Sequence, residues 1–212
     1  MTRIRPMSSL DHLVLATPDL AVTVKEVARL TGTQPVPGGV HLGLGTRNFL
    51  LGLGEGTYLE IIGPDPEQEA PDKWRPFGID TLTEARLVTW SVRVEGIDAA
   101  VAASREAGYD PGEPWEMSRQ SPAGDTLTWR LTLDKEGRHR GPVPFLIDWG
   151  ATPHPAADLP VVPLVGLEAV HPHPERVEPH IHALGAKLPM KAGNRGSLAA
   201  TLFGESGLVV LI

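Results

Sequence analysis

The 212-residue chain contains no cysteine. That excludes disulfides, thiolate nucleophiles and zinc–thiolate centres, and nothing ties the chain to an oxidising compartment. Cations are scarce and scattered: 19 Lys and Arg stand against 26 Asp and Glu, for a formal charge of −7. Gripping a phosphate backbone needs clustered Lys and Arg, so nucleic acid is set aside as a partner. No apolar run approaches the roughly 20 residues of a bilayer-spanning helix, and the charged residues 1 to 6 lead into no signal-like apolar stretch. The expectation is a cytoplasmic protein with no membrane partner. A mean hydropathy of −0.09 fits a folded chain with a real core. What the sequence does have is 23 glycines and 21 prolines, the punctuation of many short strands.

Residues 10 to 16 alternate like a strand, and Thr17-Pro18-Asp19 supplies a turn and N-cap for a helix over 20 to 31, closed by Gly32. Strands are predicted at 34 to 44, 48 to 53 and 57 to 62, completing a βαβββ order. That order returns with strands at 87 to 94, 115 to 118, 127 to 133 and 144 to 149 and a helix at 97 to 107. A shorter third copy follows, with strands at 166 to 172, 187 to 190, 198 to 203 and 208 to 212 and a helix at 174 to 184. The fold class is therefore α+β. Modules span 8 to 66, 86 to 150 and 162 to 212, with linkers at 67 to 85 and 151 to 161. A period of about seventy residues is too long for a solenoid. Each sheet buries one face against its helix, so two modules side by side form a cup for a small ligand, and the third covers an edge or extends the sheet.

The cup's chemistry starts from His12 and Glu60, on the first and fourth strands of the first module. Glu60 interrupts the apolar run Leu59-Glu60-Ile61-Ile62 and shares a face with Tyr58 and Ile62. A carboxylate there must find a metal, a cation or a proton. His12 is either a pocket group or a half-buried strand histidine bonded to a carbonyl. His41, on a glycine-rich second strand, is a third ligand, a pocket base or an exposed loop histidine. Arg47 and Asn48 offer a cationic fork for a substrate oxygen, with a surface ion pair as the alternative for Arg47. In the second module Arg119, Trp129 and Asp148 are candidate substrate contacts, although Asp148 could instead partner Arg130. Trp115, Trp129 and Trp149 are either core or an aromatic wall. His171, His173, His180 and His182 are read as surface residues, because helical residues two apart do not share a face.

The segments Leu10-Asp11-His12-Leu13-Val14-Leu15, His41-Leu42-Gly43-Leu44-Gly45-Thr46-Arg47-Asn48, Gly56-Thr57-Tyr58-Leu59-Glu60-Ile61-Ile62-Gly63-Pro64, Gly124-Asp125-Thr126-Leu127-Thr128-Trp129-Arg130-Leu131 and Pro144-Phe145-Leu146-Ile147-Asp148-Trp149-Gly150 together resemble the vicinal oxygen chelate superfamily, and more closely its glyoxalase-like domain proteins. The resemblance covers residues 10 to 150. It implies paired βαβββ modules and a divalent metal held by first and fourth strands, stabilising an enolate-like intermediate. His12 and Glu60 match two ligand positions. The other two fall on Thr89 and Ile147, which depart from the pattern, and a one-residue shift would bring Asp148 to the fourth. In the third copy the matching positions are Glu168 and Leu211. The implied function is a glyoxalase-like isomerase or lyase acting on a small oxygenated metabolite. Its metal ligands are His12 and Glu60 where an ion is bound, and its proton-transfer groups are Glu60 and His41. The alternatives are a metal-free small-molecule binding protein and an oligomerisation module, such as a homodimer, built on the third repeat.

Overall fold

A computed structural model describes residues 9–69, 71, 74–133 and 141–212. Residue 8 of the first expected module, residues 70, 72 and 73 of the first expected linker, and the N-terminal stretch judged for a signal lie outside them. The first unit runs β1 (Ser9–Ala16), α1 (Leu20–Thr31), β2 (Val36–His41), β3 (Thr46–Gly54) and β4 (Thr57–Pro64). The second runs β5 (Arg86–Arg93), α2 (Ile97–Glu106), β6 (Trp115–Gln120), β7 (Thr126–Leu131) and β8 (Phe145–Asp148). Their eight strands close into one barrel, in the order β1-β4-β3-β2-β6-β7-β8-β5. The two units are joined antiparallel through β1 and β5 and, on the far side, through Val40 of β2 and Gln120 of β6. The expected cup is thus a closed ring.

Strand periodicity divides the barrel into two apolar layers. Leu13 and Leu15 of β1, Leu59 and Ile61 of β4 and Leu146 of β8 face outward, into a core shared with Val24 and Val27 of α1 and Val101 of α2. Val14, Ala16, Tyr58, Ile62, Phe145 and Ile147, one residue out of step with these, belong to a second cluster inside the ring. Both faces of the central strands are buried, so a one-residue slip would exchange the layers.

Capping explains where the helices start. Asp19 accepts the Val22 amide at 3.0 Å, and Gly32, at φ 77°, closes α1 in the left-handed conformation glycine tolerates. Gly96 opens α2 without a side-chain cap of its own. Asp148, arriving from β8, replaces it by accepting the Gly96 and Ile97 amides at 3.0 and 3.1 Å.

The third unit is β9 (Leu164–His171), α3 (Pro174–Ala183), β10 (Met190–Ala192), β11 (Ser197–Gly204) and β12 (Gly207–Leu211). Its chain order is the expected βαβββ, but its pairing is not that of the barrel units. The first strand of a barrel unit runs parallel to the fourth, whereas β9 lies between β10 and β11 in a separate sheet ordered β10-β9-β11-β12. Glu168 and Leu211 therefore do not reproduce the placement of His12 and Glu60, and Glu168 pairs with Lys191 in solvent. Leu198, Leu202 and Ile181 join the outer core, so this sheet covers the barrel's exterior. Of the four histidines expected at the surface, His173 and His182 are exposed and His171 and His180 half-buried, and the His180 ring stacks on Tyr109, just beyond α2, at 4.7 Å.

Both expected linkers are part of the packing. The helical turn Pro76–Thr81 buries Phe77 and Ile79 among the inner residues. Phe77 adopts φ 58°, a left-handed conformation that a bulky side chain holds only when packing fixes it. In the second linker the Pro160 carbonyl accepts the Gly52 amide at 2.8 Å, pinning that segment to β3.

The third sheet is seated by Gly204, where an added Cβ would lie 2.9 Å from the Thr31 backbone at the end of α1. Gly204→Ala is expected to lower stability by about 1–3 kcal/mol, an overpacking cost, whereas Gly166→Ala, with nothing within 4 Å of its added carbon, is expected to be near neutral. Urea midpoints at unchanged m-value measure both.

Candidate functional site

The inward face of the barrel holds few polar side chains, and most meet in one cavity. It is about 50 Å³, room for roughly four waters. His12, His41, Asn48, Tyr58, Glu60 and Arg119 line it, closed in by Leu50, Phe77, Trp129, Phe145, Ile147 and Trp149. Every one of those polar residues is buried.

His12 owes its geometry to a bulge. Between the pairs Leu10–Val92 and Leu13–Trp90, two residues of β1 oppose the single Ser91 of β5. Strict alternation would send Asp11 and His12 to opposite faces. Here Asp11 Oδ1 instead meets His12 Nδ1 at 2.7 Å, and Ser91 Oγ lies 2.8 Å from the same nitrogen. An ionised Asp11 only accepts, so Nδ1 carries the hydrogen and Nε2 is turned to the cavity. Tyr58 stacks on the ring at 4.8 Å.

Asp11 is fully buried and held from several sides. His154 Nε2 reaches it at 2.9 Å, Trp149 Nε1 donates at 3.1 Å, and Arg93 lies 3.8 Å away. Burial alone would raise its carboxyl, but the hydrogen bonds and charges of His12 and His154 reverse this and hold it far below the usual carboxylate range. The proline-rich second linker thus delivers, in His154, a support for the site that nothing in the sequence signals. Asp11 has a faint signal, since two adjacent polar residues break the alternation of an apolar strand.

Glu60 is the centre of the constellation. Asn48 Nδ2 donates to Oε1 at 2.6 Å. His12 Nε2 stands 3.8 Å from Oε2 and His41 Nε2 3.9 Å from Oε1. His41 is oriented by Thr46 Oγ1, 3.1 Å from Nδ1. Burial pushes the His41 imidazole down, with nearby Glu60 opposing and Arg119 reinforcing that shift, so it is neutral near pH 7. Burial, with Asp11 and Glu60, lifts the Tyr58 hydroxyl well above its ordinary value, and it stays protonated. Gly38 makes room for Asn48, since a Cβ there would come within 2.3 Å of Oδ1, and Gly39 lets β6 approach, since a Cβ there would lie 2.1 Å from the Gln120 carbonyl oxygen and 3.0 Å from Arg119 Nη1.

Two expected contacts lie elsewhere. Arg47 sits outside the ring, 3.6 Å from Asp65 and 3.7 Å from Glu67, because it neighbours inward Asn48 on a strand of period two. Asp148 fails for the same reason: Ile147 lines the cavity while Asp148 caps α2. Arg130, the other partner considered for Asp148, grips Asp98 instead. Trp129 and Trp149 form part of the wall, whereas Trp115 packs at the periphery of the inner cluster.

The four-ligand metal pattern implied by the resemblance is not completed by this donor set. Thr89 is buried with its hydroxyl on a backbone carbonyl, and Ile147 has no donor. The three-ligand arrangement of His12, Glu60 and Asp148 is not assembled. Among the described residues no group of three or more His, Asp or Glu converges on a point that could hold an ion. A guanidinium, that of Arg119, already lines the same cavity.

Replacing Asp11 tests whether this buried carboxylate supports the site. Asp11→Asn is expected to destabilise the protein by about 3–5 kcal/mol at pH 7, since it breaks a buried charged network. A depressed native pKa contributes stability that is complete above the unfolded carboxyl value near ~3.9 and is lost as pH falls below it. The gap between wild type and variant should therefore narrow below about pH 4. Urea unfolding from pH 7 to 3 reads it, and a constant gap contradicts the assignment.

The model of the Glyoxalase-like domain family matches residues 10–185. No curated protein matches the chain. Among solved structures, a hypothetical protein from Staphylococcus aureus is similar over 95% of this chain and 97% of its own, with a TM-score of 0.66 at 11% identity. That likeness concerns the fold alone, and its coverage takes in the third sheet. A methylmalonyl-CoA epimerase of Streptomyces coelicolor, in complex with 2-nitronate-propionyl-CoA, is 22% identical over 71% of this chain and 100% of its own, with a TM-score of 0.43. The methylmalonyl-CoA epimerase of Mycobacterium tuberculosis is 20% identical over 74% and 98%, with a TM-score of 0.45. The family match spans most of the chain, and the paired units agree with it: this protein belongs to the glyoxalase-like domain family of the vicinal oxygen chelate superfamily.

Proposed function

We propose that the protein is an isomerase or lyase that moves a proton on a small oxygenated metabolite held inside the barrel, with Glu60 as the base. The observation that carries this reading is the setting of Glu60. It is a buried carboxylate with one oxygen fixed by Asn48 and an imidazole facing each oxygen at just under 4 Å. A carboxylate held in place on the wall of a closed cavity is positioned to act as a general base.

In the reaction Glu60 removes a proton from a carbon next to a carbonyl. The electron pair passes to the carbonyl oxygen, giving an enolate. Return of a proton to that carbon completes an isomerisation, and expulsion of a leaving group from the neighbouring carbon completes an elimination. His41, neutral near pH 7, is the second proton carrier, and Asp11 fixes the orientation of His12. The closed ring keeps bulk water from the enolate.

The alternative reading, a protein that binds and sequesters a small molecule, is supported by the aromatic wall of Trp129, Trp149 and Phe145. Proton NMR in D₂O separates the two. Incubating the protein with short 2-oxo acids and ketones should exchange hydrogens next to the carbonyl. Glu60→Gln should slow that exchange by about 10²–10⁴-fold. Saturable binding with no exchange supports sequestration instead.

A further inference from the structure

The cavity contains two polar groups that the fold leaves unanswered. Arg119, on β6, is 5% exposed, and among the described residues no carboxylate forms an ion pair with it. Its Nη1 is buried without a hydrogen-bond partner. Asn48 Oδ1 is in the same state, because Nδ2 of that side chain is committed to Glu60. A guanidinium has donors only and keeps its proton, so it does not escape burial by becoming neutral.

These are not accidents of loose packing. Asn48 Oδ1 lies against Gly38, whose missing Cβ makes its room, and Arg119 Nη1 lies beside Gly39, where a Cβ would first strike the Gln120 carbonyl oxygen. Chain segments from both barrel units converge to bury them. A buried cation without a partner is costly unless an anion joins it, and a buried carbonyl oxygen wants a donor. Beyond His12, His41, Tyr58 and Glu60, the rest of the wall, including Leu44, Leu50, Ile62 and Met117, is apolar.

We infer that the cavity takes a short-chain monocarboxylate carrying a hydroxyl or similar donor, with its carboxylate on Arg119, the donor at Asn48 Oδ1 and the carbon chain against the apolar wall. As a statement about substrate it rests on the proton-transfer reading above, which it deepens: Arg119 holds the anionic end while Glu60 faces the carbon chain. Burial presses the Arg119 pKa down, and the nearby Tyr58 and Glu60 oppose that. A carboxylate ligand adds to the same opposition.

The test is a binding titration by tryptophan fluorescence, using acetate, propanoate, 2-hydroxypropanoate and 2-hydroxybutanoate, each beside its neutral amide of the same shape. At least one acid should bind, with the hydroxy acids tighter than their parents and every amide weak. Arg119→Gln should weaken that acid by at least about thirtyfold, and Arg119→Lys by less. Circular dichroism melts check that each variant folds, and Arg119→Lys stands as the variant of record if Arg119→Gln does not. The inference is overturned if amides bind as tightly as acids, if neither Arg119 variant changes affinity, or if no acid binds the folded wild type. Arg119-dependent acid binding without proton exchange sinks the proton-transfer reading and leaves this one standing. Exchange on a neutral ketone that ignores Arg119 does the reverse.

Discussion

The closed ring of eight strands makes both faces of each central strand buried, and the rest of the molecule follows from that. Leu13, Leu15, Leu59 and Ile61 look out onto the helices and the third sheet. Val14, Tyr58 and Ile62 look in. Any polar residue in step with the inner set is taken out of water and must be answered by another group. His12, Asn48, Glu60 and Arg119 are in that position, and the cavity's chemistry is the set of answers they find or lack.

The same alternation accounts for what the residues alone reveal. Glu60 is legible because a lone carboxylate in an apolar strand has to face something, and the βαβββ order is legible because glycine and proline mark nearly every turn. Arg47 and Asp148 mislead because each is one residue from an inward position, and a period of two turns a small register error into the wrong face. The bulge that brings Asp11 to His12 depends on how β1 pairs with a strand about eighty residues away, which no local pattern encodes. His154 and Phe77 come from segments whose prolines read as linkers, although both are packed onto the barrel. The third unit repeats the order of elements without the pairing, since strand neighbours are chosen by the surface they must cover. Its sheet covers the barrel's outside and contributes nothing to the cavity.

Half of the family's ligand pattern is present, and the other half is replaced by groups with different chemistry. Where the first unit supplies His12 and Glu60, the register of β5 and β8 puts Ser91 and Ile147 at the corresponding places of the second, which also brings Arg119 to the cavity wall. A cation is thus built into the protein itself. It is suited to balancing negative charge on a bound oxygen, at a fixed place and without a coordination sphere. Asp11 plays the complementary part behind His12, where, against the effect of burial, the hydrogen bonds and charges of His12 and His154 hold it ionised.

The proposal at the centre of this account is that the cavity works with protein charges alone, Glu60 for the proton and Arg119 for the anion. Metal analysis of the purified protein before and after chelator dialysis, with proton exchange measured on both samples, tests it most directly. The account predicts less than stoichiometric divalent metal and the same exchange rate after chelation. One equivalent of metal per chain, removed by chelation together with the exchange and missing from both His12→Ala and Glu60→Ala, would contradict it.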